Sequence, residues 1–453
     1  MRFASGLEGS GLSFETVALG DVCALGDGAH AKISRQDSGV PYLTSKNIKQ
    51  GNLDLTRVDY ISEADFNKHF SKSGNSVRSL EAGDILIGII GTFGNVYLYK
   101  ETDCFGISSS IGIIRPDRKR THPEFLYYAI TSENFKKTIE MYKGGSVQGY
   151  TNLPTLRKVE VSLPPLDKQV EIASILKSLD KKIELNNAIN KNLEEIAQAL
   201  FKRWFVDFEF PNESGEPYKS SGGEFEESEL GLIPKGWRAG AATDVFNVQS
   251  GGTPKTGSAE YWDGEIPFFT PKDSGSSFYT INTEKKLTES GLTKCNSKLY
   301  KAGTVFITAR GTVGKLSIAG RDMAMNQSCY ALVATNGYTH KYIFLQTQLL
   351  INTIKKNASG AVFDAITAST FQSLKVALPN IELVEEFDKI LEGFFNSILK
   401  NIIENQILSE SRDTLLPKLM SGELQVPIDR KYSQDQMLDL PLAAESKAQY
   451  STT

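Results

Sequence analysis

The chain has 453 residues and a mass of 49.9 kDa, which is too long for one ordinary core and typical of two or three domains. Hydrophobic residues make up 40% and charged residues 23%, so a mostly disordered chain is excluded. The net charge is −4, yet residues 205–230 carry a net −7 and residues 235–376 a net +7. A basic stretch attracts phosphates, so this distribution permits DNA binding without establishing it.

Targeting and redox signals are weak. The first 14 residues contain no apolar block of signal-peptide length, and the apolar run at 85–90 is far too short to cross a membrane. Four cysteines lie far apart, which predicts free thiols rather than disulfides or a zinc site: Cys23, Cys104, Cys295 and Cys329. We therefore expect a cytoplasmic protein without a membrane partner.

The region before residue 164 mixes strand and helix patterns. Residues 96–99 combine β-branched and aromatic side chains, which favours a strand, and residues 123–137 have the apolar spacing of a helix. From Ile172 to Trp204 apolar residues or asparagines then recur at alternating intervals of four and three. That heptad spacing is typical of a coiled-coil seam. We predict one mixed domain at 1–163 and a central helix at 164–206.

An acidic connection at 207–233 leads into a second copy of the same pattern. Residues 40–44 (VPYLT) match 266–270 (IPFFT), and residues 91–94 (GTFG) match 311–314 (GTVG). The offset between the copies shrinks along the chain, so the loops differ in length while the framework persists; such loops usually carry recognition. We predict a second domain at 234–378, a C-terminal helix at 379–422 and a polar, flexible tail at 423–453.

The two long helices share a polar feature within their apolar seams. Asn186 and Asn190 occupy heptad positions that recur 215 residues later at Asn401 and Asn405. In an antiparallel pair Asn186 faces Asn405 and Asn190 faces Asn401, which fixes the register because asparagine opposite an apolar residue loses its hydrogen bonds. The alternative is that these asparagines lie on the solvent side of two unrelated helices. The predicted fold class is α+β: two similar α/β domains joined by two long helices packed as an antiparallel coiled coil, with a pseudo-two-fold internal repeat.

The motifs of common catalytic and cofactor sites are missing from the sequence. Gly314-Lys315 is followed by Leu316 instead of serine or threonine, so it is no phosphate-binding loop. The four histidines are scattered, which predicts no metal site. No Asn-Pro-Pro-Tyr or Asp-Pro-Pro-Tyr motif for holding a flipped base occurs. We expect no catalytic residue, metal or cofactor on this chain, and any catalysis to belong to a partner.

Several segments carry a resemblance to a known family. They are residues 163–169 (LPPLDKQ), 178–187 (SLDKKIELNN), 197–208 (AQALFKRWFVDF), 228–237 (SELGLIPKGW) and 416–424 (LPKLMSGEL). With the duplicated layout, they make the chain resemble the specificity (S) subunit of type I restriction–modification enzymes over almost its whole length.

The resemblance implies a recognition role without catalysis. Each target-recognition domain would read one half of a bipartite, asymmetric target in double-stranded DNA. The helices would set the gap and dock two modification (M) subunits, which bind S-adenosylmethionine and methylate N6 of a flipped adenine. Restriction (R) subunits, which use ATP and Mg, would join this core and cleave unmodified DNA. The acidic connection would be a flexible or subunit-facing crossing, repelled by phosphate.

Candidate DNA contacts are loop residues whose side chains suit phosphates or base edges. In the first copy they are Thr44, Ser45, Lys46 and Asn47 after an apolar strand, and Lys143, Ser146, Gln148 and Tyr150 in a glycine-rich turn. In the second copy they are Lys272, Arg310, Thr312, Lys315, Asn326 and Gln327. Asn326 and Gln327 also lie in a segment similar to a family framework element, where they would bond the backbone instead.

Two other functions remain open at this point. A stand-alone DNA-binding pseudo-dimer regulator needs only the intramolecular seam, whereas a docking subunit needs further apolar helix surface. Ten residues off the seam supply such a surface unless they pack on the domains: Ile175, Ile189, Ile196, Phe201, Phe205, Ile390, Phe395, Ile402, Ile403 and Ile407. A carbohydrate or nucleotide hydrolase would need convergent carboxylates or a nucleophile–base pair, and the sequence displays neither.

Overall fold

The computed structural model describes residues 14–70, 77–141, 151–275, 277–357 and 366–426. They form two compact units. Unit 1 contains the residues up to Lys181 together with those from Leu408 onward, and unit 2 is Lys182–Ile407.

Unit 1 contains an α+β domain. Its strands are β1 (Glu15–Ala18), β2 (Cys23–Asp27), β3 (Val40–Leu43), β4 (Ile48–Lys49), β5 (Asn52–Leu53), β6 (Asp59–Ile61), β7 (Ile85–Gly88), β8 (Val96–Leu98), β9 (Gly106–Ile107), β10 (Ile111–Pro116) and β11 (Glu160–Leu163). Its helices are α1 (Leu19–Val22), α2 (Glu63–Phe70), α3 (Pro123–Thr131), α4 (Glu133–Met141) and α5 (Leu153–Lys158), followed by the first part of α6 (Leu166–Phe205).

Unit 2 contains the rest of α6 and a second α+β domain. Its strands are β12 (Phe225–Ser228), β13 (Gly231–Pro234), β14 (Arg238–Ala241), β15 (Phe246–Ser250), β16 (Trp262–Phe269), β17 (Tyr279–Thr280), β18 (Lys285–Leu287), β19 (Val305–Thr308), β20 (Leu316–Ala319), β21 (Ala324–Met325), β22 (Cys329–Ala334) and β23 (Lys375–Leu378). Its helices are α7 (Glu289–Thr293), α8 (His340–Asn357), α9 (Ala368–Ser373) and most of α10 (Ile381–Ser421).

The two domains repeat one sheet topology. The strand order β2-β10-β7-β8 in unit 1 corresponds to β15-β22-β19-β20 in unit 2, and β6-β3-β9 corresponds to β18-β16-β21. The short pairs β1-β11 and β14-β23 also correspond. The internal duplication read from the sequence is therefore present in the fold.

Strand β7 of unit 1 and strand β19 of unit 2 each begin with three apolar side chains in a row, because both faces of the strand are covered. In β7 the side chains of Ile85 and Ile87 join the core beneath the helices, while Leu86 joins a second core on the other face. In β19 Val305 and Ile307 do the same, with Phe306 on the opposite face. Alternating side chains point to opposite faces of a strand, so these continuous apolar runs place a β-sheet between two layers.

Helices α6 and α10 pack antiparallel within each unit. In unit 1, Ile172 of α6 shares a buried core with Leu419 of α10, and Asp180 further along α6 accepts a hydrogen bond from Nη1 of Arg412, which precedes Leu419. In unit 2, Asn186 bonds Asn405, and Trp204 near the end of α6 lies against Phe387 near the start of α10, with ring centroids 5.2 Å apart. Within each unit, later residues of α6 therefore meet earlier residues of α10. The predicted fold class, two similar α/β domains with an antiparallel helix pair, is confirmed.

The acidic connection is folded, so of the two alternatives expected for it the flexible crossing is wrong and the subunit-facing crossing stays a prediction. Strands β12 and β13 form an antiparallel hairpin within it. The ring of Phe210 stacks on Tyr218 at 4.6 Å and on Trp237 at 5.4 Å between centroids. These aromatic contacts order the segment because they bury large apolar surfaces despite its negative charge. Of the predicted tail at 423–453, residues from 427 onward lie outside the described residues.

A search of the described helices for apolar stretches long enough to cross a membrane found none.

Candidate DNA interface

Three loops meet at the ends of the central strands in unit 1. They are residues 44–47 after β3, residues 89–95 between β7 and β8, and residues 108–110 between β9 and β10. The backbone N–H of Ser45 donates to Oγ of Ser110 at 3.0 Å, and that of Ile89 donates to the carbonyl of Ser110 at 2.9 Å. These bonds hold the three loops together as one surface, which we call loop cluster 1.

Unit 2 builds the same arrangement from residues 270–273, 309–315 and 326–328, here called loop cluster 2. The N–H of Ala309 donates to the carbonyl of Ser328 at 2.8 Å, the counterpart of the bond from Ile89. The N–H of Asn326 donates to the carbonyl of Phe269 at 2.9 Å, as that of Ser108 does to Leu43. These two backbone bonds of the cluster are thus duplicated, while its side chains differ.

The repeated Gly-Thr-x-Gly segment forms the tip of the second loop in each cluster. Gly91 and Gly94 both have a φ of 81°, and Gly311 and Gly314 have φ values of 80° and 78°. This left-handed region is open to glycine and strained for most other residues. The glycines therefore allow a tight turn that leaves the flanking side chains at the surface.

Two of the first-copy candidates are used inside the protein. Asn47 is 7% exposed, and its Nδ2 donates to the carbonyls of Asp54 and Arg57 at 3.0 and 2.9 Å. Ser45 is 3% exposed and donates from Oγ to the carbonyl of Ile90. The hydrogen bonds of Ser45 and Asn47 are made within the fold, and their role in DNA binding stays a prediction. Thr44 is half-buried and bonds Asn47, whereas Lys46 is exposed.

Most of the second-copy candidates are exposed, so they are better placed for contact with DNA than the buried Ser45 and Asn47. Arg310, Thr312 and Lys315 are exposed on the loop between β19 and β20. Lys272 is also exposed, with its Nζ 3.8 Å from a carboxylate oxygen of Glu284. These side chains give loop cluster 2 three cationic groups on one domain.

The framework alternative describes Asn326. Its side-chain Oδ1 accepts a hydrogen bond from the backbone N–H of Ser328 at 3.0 Å. Gln327 is exposed, and its Oε1 accepts from the hydroxyl of Thr253. The remaining candidates, Lys143, Ser146, Gln148 and Tyr150, lie outside the described residues.

Sequence reasoning missed the first-copy counterparts of the second-copy candidates. Ile90 corresponds to Arg310, Thr92 to Thr312 and Asn95 to Lys315, because each pair flanks the same glycines. Ser108 and Ser109 likewise correspond to Asn326 and Gln327 after the parallel pairings of β9 and β21. The Gly-Thr-x-Gly repeat was the signal that could have found them.

Burial shifts the pKa of two cysteines and two histidines. Burial raises the pKa of the Cys329 thiol to about 12, and burial together with the Asp117 charge does the same for Cys23. Burial also lowers the pKa of His122 and of His340. No group of three or more His, Cys, Asp or Glu side chains that could hold a metal ion occurs among the described residues.

The four asparagines predicted to set the helix register meet in unit 2. Asn186 Nδ2 donates to Oδ1 of Asn405 at 2.9 Å, and Asn401 Nδ2 donates to Oδ1 of Asn190 at 2.8 Å. Asn186 and Asn190 are 0% and 4% exposed, so the alternative of solvent-facing asparagines does not apply to them. That these pairs fix the register stays a prediction.

The off-seam apolar residues divide into two groups. Phe201, Phe205 and Phe395 are buried in the core of unit 2, Ile402 packs against it, and Ile175 is half-buried. The others are exposed, and with Leu185, which the sequence analysis missed, they form what we call the exposed apolar face: Leu185, Ile189, Ile196, Ile390, Ile403 and Ile407.

Three members of this face, Ile189, Ile196 and Ile390, share one side of the helix pair. The ion pair between Lys182 Nζ and Glu404 Oε2, 3.3 Å long, crosses the seam there. Ile189 and Ile196 follow Lys182 by one and two heptads, and Ile390 precedes Glu404 by two, so the heptad repeat places them on the same side. All these residues belong to unit 2.

Comparison with known proteins identifies the family. The sequence profile described as type I restriction modification DNA specificity domain matches residues 12–195 and 234–410. The specificity subunit of the type I restriction enzyme HindI from Haemophilus influenzae is 26% identical over 409 residues, which is 78% of this chain and 88% of that protein. The MjaIX specificity subunit from Methanocaldococcus jannaschii is 25% identical over 399 residues, covering 85% and 87%.

A solved structure supports the fold. The type I restriction–modification S subunit from M. genitalium aligns with a TM-score of 0.54 at 16% identity, covering 91% of this chain and 97% of that one. Duplicated domains with paired loop clusters, carried on two long helices, define the class of two-domain DNA-recognition proteins. The chain belongs to the type I restriction–modification DNA specificity family, so the resemblance read from the sequence is confirmed. Its relatives are specificity subunits.

Proposed function

We propose that this chain reads a bipartite, asymmetric sequence in double-stranded DNA, one half-site with each recognition domain. We assign the domains to residues 1–163 and 234–378, the boundaries expected from the repeat. The observation that carries the proposal is the duplicated loop cluster with unlike side chains. Ile90 stands where the second copy has Arg310, and Asn95 where it has Lys315. Two copies of one framework with different surface chemistry suit two different half-sites.

The second part of the proposal concerns partners. We propose that the chain positions two modification subunits, which supply S-adenosylmethionine-dependent methylation of adenine N6, and restriction subunits that use ATP and Mg. Methylation and restriction would both act on cellular DNA, so we place the complex in the cytoplasm. This chain contributes recognition and orientation, and the reacting groups belong to its partners.

The exposed apolar face supports the docking of a modification subunit. Ile407 is 58% exposed and belongs to a group of large exposed aliphatic side chains on the paired helices. The similarly exposed Leu232, at 62%, lies in the acidic connection and does not belong to this group. Interface cores are depleted of charge, and large exposed apolar side chains grouped on one element are typical of an interaction site. A regulator that acts alone has no use for this group.

Mapping of methylated adenines tests the proposal. In cells that carry the intact system, deletion of this gene should abolish N6-methylation at one interrupted motif with two unlike halves, and the gene supplied in trans should restore it. Arg310→Ala should relax or weaken only one half of that motif. An unchanged methylation map after deletion would refute the function, and a motif with two identical halves would refute its asymmetry.

Copurification separates this role from a stand-alone regulator. Tagged chain should copurify with a methyltransferase whose target is the mapped motif. A chain that remains monomeric, soluble and specific for DNA in the presence of that methyltransferase would favour the regulator instead.

A further inference from the structure

Ile90 and Arg310 occupy the same position in the two loop clusters. The backbone N–H of Ile90 donates to the carbonyl of Ser110 at 3.4 Å, and that of Arg310 donates to the carbonyl of Ser328 at 3.3 Å. Each residue directly precedes a left-handed glycine, Gly91 or Gly311. The same backbone thus presents an aliphatic side chain in one domain and a guanidinium in the other.

The loop that carries Ile90 is held in place from both sides. Oγ of Ser45 donates to its carbonyl oxygen, while its N–H bonds Ser110. A side chain added at Gly88 would come within 2.0 Å of the Thr92 carbonyl oxygen, so the loop folds tightly back on its strand. The position of Ile90 is therefore preorganised, which a contact that discriminates between bases requires.

Ile90 is 45% exposed although its neighbour Ile89 is only 4% exposed. Three serines of the cluster are hydrogen-bonded within it: Oγ of Ser108 and Oγ of Ser110 lie 2.7 Å apart, and Ser45 bonds Ile90 itself. Among the described residues of loop cluster 1, Ile90 and Lys46 have exposed side chains, whereas Thr92, Asn95 and Ser109 are half-buried.

We infer that Ile90 is a specificity-determining residue that packs against the 5-methyl group of a thymine in the half-site read by the first domain. The inference rests on the proposed function. In the major groove thymine alone among the four bases presents a methyl group, and apolar side chains contact it. Arg310 at the equivalent position suits guanine O6 and N7. One framework position thereby reads a different base in each half-site, and Lys46 suits an adjacent phosphate.

Uracil substitution tests the contact, because uracil differs from thymine only by that methyl group. The assembled methyltransferase complex is titrated with duplexes that carry the mapped target, with each thymine replaced by uracil in turn. For the wild-type chain one substitution in one half-site should weaken binding about fourfold, the value of burying one such carbon. In Ile90→Ala the same substitution should have no effect, whereas in the control Arg310→Ala the uracil effect should persist.

The outcomes distinguish failure of the inference about Ile90 from failure of the proposed function. If every uracil effect is equal in wild-type and Ile90→Ala complexes, or the target lacks thymine in that half, the inference is overturned. If the wild-type complex does not prefer the target over a scrambled duplex, the proposed function fails instead. Ile90→Val, which shortens the chain by one carbon and preserves its apolar character, should show an intermediate uracil effect, and equal thermal midpoints of the variants exclude misfolding as the cause.

Discussion

Asn186 of α6 donates a hydrogen bond from Nδ2 to Oδ1 of Asn405 of α10, 2.9 Å away, inside unit 2. The same nitrogen lies 2.8 Å from a carboxylate oxygen of Glu404, and Asn405 in turn donates to Oδ1 of Asn187 at 2.8 Å. Asn186 is fully buried, so its amide depends on these partners for the hydrogen bonds that water would otherwise supply. The pair thus favours one register of α6 against α10, whereas a seam of apolar side chains alone would allow other registers.

Replacing one member of this pair should be more harmful than replacing both. Asn186→Leu leaves Oδ1 of Asn405 without its donor, and we expect the free energy of unfolding to fall by about 1–3 kcal/mol. The double variant with Asn405→Leu should recover much of that loss, because apolar side chains pack well in a seam. Urea unfolding followed by circular dichroism measures both. Lys191→Leu, at a site exposed by 76%, is the control, and equal losses in the single and double variants would contradict the prediction.

The seam and the duplication were predictable because each depends on a regular spacing or a repeated short motif in the sequence. Ile172 to Trp204 follows one heptad pattern, and the Gly-Thr-x-Gly turn recurs with its neighbours. The bonds of Asn47 were not predictable, because they reach the carbonyls of Asp54 and Arg57, seven and ten residues away, and residue spacing does not reveal such a loop closure. For Phe201 the sequence left docking surface and packing on the domain open, because a position off the seam does not reveal that Tyr342 and Phe387 lie beside it.

Arg310→Ala should lower the affinity for the correct target by about 1–3 kcal/mol and relax specificity at one base pair. The side chain is exposed on a glycine-pinned loop, so its removal should leave the fold unchanged. Fluorescence anisotropy with matched and single-mismatch duplexes measures the effect. The control is Arg321→Ala, also exposed in the same domain but outside loop cluster 2. An affinity equal to that of the control variant would remove Arg310 from the base-reading residues.

Lys46→Ala should weaken binding to all sequences alike and lower the salt dependence. A lysine that neutralises one phosphate releases its counterion, so the slope of log affinity against log salt should become less steep by about one. Titrations between low and physiological salt give this slope. Lys49→Ala removes a lysine whose Nζ lies 3.6 Å from Asp54 and serves as the control. A loss of discrimination between duplexes, with an unchanged slope, would instead make Lys46 a base reader.

Stability should fall as the pH drops below about 6.5. Burial lowers the pKa of His122 and His340 from their ordinary value of 6.5. The charges nearest His122 are Glu124, Lys177 and Arg118, and those nearest His340 are Lys341 and Asp388. Because the unfolded histidines bind protons at a higher pH than the folded ones, the stabilisation is present above 6.5 and is lost as the pH falls towards the folded values.

A histidine double variant isolates this contribution. In His122→Gln with His340→Gln the unfolding midpoint should vary less between pH 7.5 and pH 5.5 than in the wild type, because glutamine does not titrate. Urea midpoints at three pH values across that range provide the measurement. A double variant with the wild-type dependence would show that other groups carry the acid sensitivity.

Serine substitution on the exposed apolar face should separate docking from DNA reading. Ile189→Ser with Ile196→Ser removes two side chains that are 38% and 46% exposed, and surface changes of this kind shift stability by about 0.5 kcal/mol or less. If a modification subunit covers them, each loss of desolvated aliphatic area should weaken assembly, together by at least tenfold in Kd. Analytical ultracentrifugation of the mixed subunits measures the Kd.

Lys191→Ser with Glu195→Ser alters an ion-paired stretch elsewhere on the same helix and is the matched control. Unweakened assembly of the isoleucine variant would show that the partner docks on another surface, whereas weakened assembly with intact binding of the free chain to DNA would assign the face to the modification subunit.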